Sequence, residues 1–276
     1  MEAPSTTGNA ATTDAPLNSH GAAALSAILM DADVAGALWA AVDSGRIDDL
    51  VPELPLLRME QDPVHRHKDV LAHTIAVVAK TPDDEIVRLA ALFHDIAKPR
   101  TRSFEHGGVT FRHHEAVGAR MTRKRMGELG YPDEVVEQVS ELVRLSGRFK
   151  GYSDGWSDAA VRRYAREAGP LLGRLNALIR SDCTTRNQHK LEELQRAIDE
   201  LESRIADLAH QERKAAERPQ IDGKAAMEHL GVGPGRHVGD ILGWLLELKR
   251  SEGVLDDEDL FSRLDEWWEK NRDRYS

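Results

Sequence analysis

The stretch VRLAALFHD (87–95) is apolar along most of its length and ends in an adjacent histidine and aspartate, with Lys98-Pro99 just beyond. Its composition reads as a buried helix. A buried carboxylate is costly unless it is paired or bound to a metal ion, so His94-Asp95 at the end of such a helix demands a local reason. Outward from this segment, apolar residues recur at three- and four-residue spacing almost to the end of the chain. Leu25, Ile28 and Leu29 predict a first short helix, and Val34, Leu38, Ala41 and Val42 a second. Further helices are predicted near 64–80, 84–97, 115–129, 133–146, 157–168 and 170–181. Strand-like alternation is confined to Val109-Thr-Phe111, which follows Gly107-Gly108 and suggests a small hairpin. The predicted fold class is all-α.

The longest periodic run is 187–216. Leu191, Leu194, Ile198, Leu201, Ile205 and Leu208 form a narrow apolar seam among Glu, Arg and Lys, which predicts one long helix. Packing of this seam within its own chain is the favoured expectation; a coiled coil between two copies, giving a homodimer, is the alternative. Past Pro219 a short helix ends at Gly231, Gly233-Pro234-Gly235 breaks the pattern, and a helix follows near 237–250. A last acidic helix carries Trp267 and Trp268, which with Leu264 read as a packing stripe. Residues 1–21 lack large apolar groups and are expected to form a disordered tail. The remaining expected divisions are a helical segment at 22–63, a central domain at 64–186, and the long helix with a C-terminal helical region at 187–276.

Composition excludes several classes. The 276 residues hold 37 Lys+Arg and 47 Asp+Glu, a formal charge of −10. No apolar run approaches the roughly 20 residues that span a bilayer, so no membrane partner is expected. Cys183 is the single cysteine, which excludes a disulfide scaffold and makes a reducing cytoplasm the expected compartment. The charge is uneven: residues 96–190 carry 18 Lys/Arg against 11 Asp/Glu. Arg120, Arg123, Lys124 and Arg125, with Arg162, Arg163 and Arg166, supply much of this excess. They read either as solvated helix faces or as a phosphate-facing surface for a nucleotide or RNA.

Histidine and aspartate recur at other helix positions. His73 lies in a predicted helix beside Ile75, Val77 and Val78; His113-His114-Glu115 opens another; Asp182 closes the apolar helix 171–179. Imidazole nitrogens with carboxylate oxygens make a borderline donor set, suited to Mn, Fe, Co, Ni or Zn, with Mg accommodated through water. His73, His94, Asp95 and Asp182 are therefore the candidate ligands of one divalent metal ion. Lys98, three residues past Asp95, falls on the same helical face and suits a phosphate oxygen. His65, His67 and His106 sit in polar stretches and read as surface histidines. His189, His210, His229 and His237 are assigned no role.

This pattern, H-x20-HD-x2-K with a distant Asp, resembles the HD superfamily of metal-dependent phosphohydrolases. The resemblance is closer still to the C-terminal half of bacterial CCA-adding tRNA nucleotidyltransferases, particularly the actinobacterial type. It is carried by RHKDVLAHTIAVV (66–78), RLAALFHDIAKPRTR (88–102), FRHHEAVGARM (111–121), AVRRYAREAGPLL (160–172) and RSDCTTRN (180–187). LGVGPGRHVGDIL (230–242) is similar to the family's tail, and LVPELPLLRMEQDPVHRHKD (50–69) to its junction of neck and HD core. The resemblance implies an HD-domain helical bundle with a neck-like segment at 22–63. It implies that His73, His94, Asp95 and Asp182 hold the metal, that His114 is an additional site histidine, and that Lys98 and Arg186 contact phosphate. Nothing in residues 1–65 resembles the Gly-rich turn and paired aspartates of the family's nucleotide-transferring head, so no nucleotide addition is expected from these residues.

One segment departs from the family. In LVRLSGRFKGYSDG (142–155), Ser146 and Lys150 stand where relatives commonly carry histidines. A single metal ion is therefore expected, with Lys150 beside the substrate phosphate. The expected activity is hydrolysis of a nucleotide or another small phosphoester, such as a phosphomonoester, 2′-nucleotide or 2′,3′-cyclic phosphate. Asp95, Lys98 and His114 are the candidate catalytic groups; Lys98, Lys150 and Arg186 are the candidate substrate contacts. The alternative is a tRNA- or RNA-binding module, or an accessory subunit, with catalysis reduced or lost.

Overall fold

The computed structural model describes residues 19–59, 69–105, 108–185 and 187–275. Described residues up to Ile205 form one compact unit and those from Ala206 a second. The fold is all-α, with one small two-stranded sheet among the described residues.

In the first unit α1 (Ser19–Leu29) and α2 (Val34–Asp43) precede the central helices. Ser19, His20 and Gly21 are thus helical rather than part of a tail, while the rest of the expected tail lies outside the described residues. α3 (Val70–Lys80) and α4 (Glu85–Phe93) follow. Each of α2, α3 and α4 starts on an aspartate whose carboxylate accepts backbone N–H groups of the first turn: Asp33, Asp69 and Asp84. Such caps satisfy donors that an unstarted helix leaves free. The helix expected over 84–97 stops early. His94 is its C-cap, a turn follows, and a short α5 (Lys98–Thr101) begins with Pro99 in its first turn. Proline lacks an N–H and is tolerated only at a helix start, so the chain turns between Asp95 and Lys98. That break lifts the two residues out of the apolar stripe and presents them at a helix end.

β1 (Arg102–Glu105) and β2 (Gly108–Phe111) form an antiparallel hairpin, pairing Arg102 with Phe111 and Phe104 with Val109. α6 (His114–Leu129) and α7 (Asp133–Leu145) then pack together. Gly130, at φ 83°, makes the left-handed turn that ends α6, a conformation that costs any side chain and that glycine adopts freely. α8 (Asp158–Ala168) and α9 (Leu172–Asp182) complete the bundle. Its core includes Leu71, Ile75, Val78, Leu89, Leu92, Phe93, Leu142 and Leu175, all buried.

α10 (Gln188–Ala216) is the predicted long helix. Ile198 and Leu201 of its seam are buried. Its polar face is tied to α9, with Arg180 donating to Asp199 at 2.6 Å and to Glu202 at 2.7 Å. In the second unit α11 (Gly223–Leu230), α12 (Arg236–Glu252) and α13 (Asp257–Asn271) surround Ala226, Ile241, Leu245, Leu248, Leu260 and Leu264. Trp267 and Trp268 pack against this cluster, and Trp267 stacks on Trp244 with ring centroids 5.6 Å apart. Among the described residues, no helix is long and apolar enough to cross a membrane.

Candidate metal centre

Three helix ends and one helix interior bring the predicted residues to a single cleft. His73 comes from α3, His94 and Asp95 from the end of α4, His114 from the start of α6, and Asp182 from the end of α9. Asp95 is central and buried. Its Oδ2 lies 3.2 Å from His94 Nε2, 3.7 Å from His73 Nε2 and 2.7 Å from Lys98 Nζ; its Oδ1 lies 3.7 Å from His114 Nε2. Asp182 Oδ1 approaches His73 Nε2 at 3.0 Å and His94 Nε2 at 3.4 Å. His73, His94 and Asp95 offer one ligand atom each within 4.8 Å of one another.

The rings are oriented from behind. His94 Nδ1 donates to the carbonyl of Ala91 at 2.7 Å, and His114 Nδ1 to the carbonyl of Phe111 at 2.7 Å. A carbonyl can only accept, so Nδ1 carries a proton in both rings and Nε2 is left to face Asp95. His73 Nδ1 is held 2.9 Å from Thr184 Oγ1. His94 Nε2 is buried yet has no hydrogen-bond partner of acceptable geometry. A buried polar atom without a partner costs free energy, and a cation at the shared focus of Nε2 and carboxylate oxygens removes that cost. The donor set therefore fits a divalent ion of borderline character.

Electrostatics agree with a site built for positive charge. Burial opposes a charge on His94, yet Asp95 and Asp182 raise its pKa to about 10. Burial likewise pushes the Asp95 carboxyl up, but His94 and Lys98 hold it far below the usual carboxylate range. For Asp182 burial is again overcome, here by the two imidazoles. The cluster holds either a proton on His94 or a metal ion in its place.

The cleft has a volume of about 1200 Å³, and Phe111, Arg112, Ser146, Lys150 and Thr184 also line it. Lys150 Nζ lies 3.1 Å from Glu115 Oε1, and Ser146 Oγ donates back to the Val143 carbonyl at 2.9 Å. Gly147 makes room for this arrangement, since a Cβ there would meet Glu115 Oε1 at 2.1 Å. His113 is exposed and left-handed, at φ 60°. Non-glycine residues seldom adopt that conformation, and here it turns the chain from β2 into α6 so that His114 enters the cleft.

Arg186, His65, His67 and His106 lie outside the described residues. His189 and His229 pair with Glu193 and Asp265. In the basic clusters, Arg123 meets Glu137 at 2.6 Å, Lys124 meets Glu128 at 3.8 Å and Arg125 meets Glu53 at 2.8 Å. Sequence reasoning assigned no role to Thr184, Glu115, Gly147 or the backbone of His113. Thr184 carries the one readable signal, standing two residues after Asp182.

The HD-domain family model matches residues 70–212. The chain belongs to the HD-domain family. It is 30% identical over 232 residues to the A-adding tRNA nucleotidyltransferase of Deinococcus radiodurans, a match covering 82% of this chain and 52% of that one. It is 34% identical over 214 residues to the CC-adding tRNA nucleotidyltransferase of Thermus thermophilus, covering 74% and 46%. The chain thus spans about half the length of the relatives it matches. HD domains bind divalent metals, and the His73–His94–Asp95 group could hold one.

Proposed function

We propose that this HD domain is a metal-dependent phosphohydrolase acting on a nucleotide or small phosphoester. The observation that carries the reading is the convergence of His73, His94, Asp95 and Asp182, with an unpartnered, buried His94 Nε2 at their focus. A divalent ion held by these four would supply Lewis acidity and a water of lowered pKa. The chain's own groups do the rest. Asp95, fixed by Lys98, orients the nucleophile through its carboxylate. The Lys98 ammonium offers positive charge to a phosphoryl oxygen in a largely water-excluded corner, where such charge is most effective. Burial lowers the His114 pKa, although the Phe111 carbonyl opposes this, so its Nε2 keeps a lone pair that can accept a proton from the attacking water. Lys150 contacts the substrate phosphate, and Arg186 takes the same role by its match to the family motif. Mn, Ni, Co, Fe, Zn and Mg all remain compatible with the donor set.

The test is metal analysis of the purified protein alongside a hydrolysis screen over phosphomonoesters, 2′-nucleotides and 2′,3′-cyclic phosphates. About one ion per chain is expected, with turnover that chelation removes. Asp95→Ala should lose both metal and turnover while retaining the helical circular-dichroism signal; metal kept at the parental level would overturn the assignment. The second reading, an RNA-binding module without catalysis, is favoured by the kinship with enzymes acting on tRNA. RNA binding with no metal and no turnover would establish it instead.

A further inference from the structure

The β1–β2 hairpin is strung between two residues of the centre, Lys98 before it and His114 after it. Strand alternation and the pairing of Arg102 with Phe111 and Phe104 with Val109 put these four residues on one face. On the other face Ser103 Oγ and Thr110 Oγ1 are hydrogen-bonded across the strands at 2.7 Å, which ties the hairpin together. The first face carries two rings, each under a cation. Lys98 Nζ lies 5.6 Å from the centroid of Phe111, and Arg102 Cζ lies 5.0 Å from that of Phe104. Phe111 lines the metal cleft. Phe104 sits one pair further out, about 7 Å along the strand, and is 72% exposed.

An aromatic ring on a two-stranded hairpin, left in water, contributes nothing to a core. The Arg102 guanidinium above the ring adds a positive charge beside it. Between residues 98 and 112 four Lys/Arg stand against one carboxylate residue, and of these Arg100 and Arg112 are exposed. Rings spaced along a cationic strip match a ligand that alternates flat π-faces with negative charges. A single-stranded nucleic acid has this character. An acidic peptide would satisfy the cations but leave Phe104 bare. The Arg123–Arg125 cluster is a weaker place for such a strand, since its cations already face Glu137, Glu128 and Glu53.

We infer that this hairpin face docks single-stranded nucleic acid, with a base stacked on Phe104 and the phosphoester beyond it directed into the cleft past Phe111. The binding surface stands on the hairpin alone. The claim that the docked strand carries the phosphoester substrate rests on the phosphohydrolase reading above.

The experiment measures fluorescence anisotropy of a fluorescein-labelled hexaadenylate RNA with the full chain, its Phe104→Ala and Phe104→Trp variants, and Arg102→Gln. Metal content and turnover of p-nitrophenyl phosphate are followed in parallel. Phe104→Ala should weaken RNA binding about tenfold, in the range of one lost stacking contact, and Phe104→Trp should restore it. Arg102→Gln should also weaken binding and flatten its salt dependence. Metal content and p-nitrophenyl phosphate turnover should be unchanged in Phe104→Ala. RNA affinity within about twofold of the parent in Phe104→Ala, no RNA binding by the parent, or equal Phe104-dependent binding of an acidic peptide would each overturn the docking surface. RNA binding that depends on Phe104 in a protein without metal or phosphatase turnover would instead sink the phosphohydrolase reading and leave the surface standing.

Discussion

Lys150 shows how much one side chain can decide at a metal centre. A lysine ammonium has no lone pair and repels a nearby cation. Its Nζ is engaged with Glu115 at 3.1 Å, while Ser146 spends its hydroxyl proton on the Val143 carbonyl at 2.9 Å. Neither offers a ligand; of the additional site histidines that the resemblance implies, His114 remains, its Nε2 3.7 Å from Asp95 Oδ1. Soaking crystals in excess Mn²⁺ should therefore show one ion per chain. The double substitution Ser146→His with Lys150→His should admit a second, about 3.5–4 Å from the first. Two ions in the unsubstituted protein would show that the fold, not these side chains, sets the number. The sequence made the four proposed ligands legible because each stands on an apolar helix, where a charged or metal-binding residue needs a local reason. It left Thr184 and the carbonyls of Ala91 and Phe111 unassigned, because their work is to hold a ring proton. A hydroxyl 111 positions from His73 has that role only once the chain is folded.

The element with the most to say about packing is α10. Its seam could have served a second copy of the chain, but Ile198 and Leu201 are buried in the chain's own bundle. Arg180, Asn176 and Tyr152 all bond to its acidic face, at Asp199, Glu202 and Glu200. Leu201→Ala should thus cost about 3 kcal/mol, the usual range for emptying a fully buried leucine site. Chemical denaturation with the metal state held fixed would measure it. A change below about 0.5 kcal/mol, the size of an ordinary surface substitution, would mean the seam is not buried in solution. The hairpin makes the converse point. Val109-Thr-Phe111 announced a strand, whereas Arg102–Glu105 did not, since RSFE has no apolar alternation. Its strand character comes from pairing with β2.

At the scale of the whole molecule, kinship and content point in different directions. The relatives are tRNA nucleotidyltransferases by name, yet what this chain shares with the HD family is the helical metal-binding region, residues 70–212. Nothing in residues 1–65 resembles a nucleotide-transferring head. These 276 residues, incubated alone with tRNA lacking its 3′ end, CTP, ATP and Mg²⁺, should yield no extended product on a denaturing gel. A reproducible ladder that requires the chain would refute this.

The sequence by itself determined the all-α class, the long helix and the residues able to hold a metal ion. Helical periodicity is local, and a charged pair closing an apolar helix is a local contradiction that needs no fold to be noticed. The tertiary structure alone decided which face each group serves. It turned His94 and Asp95 into the cleft by stopping α4 before Pro99, and gave Arg123 and Arg125 carboxylate partners from α7 and from Glu53. It also set Phe104 under Arg102 on the hairpin that leads to the cleft. These outcomes depend on distances between residues remote in sequence, and no spacing along a chain encodes a distance across a fold.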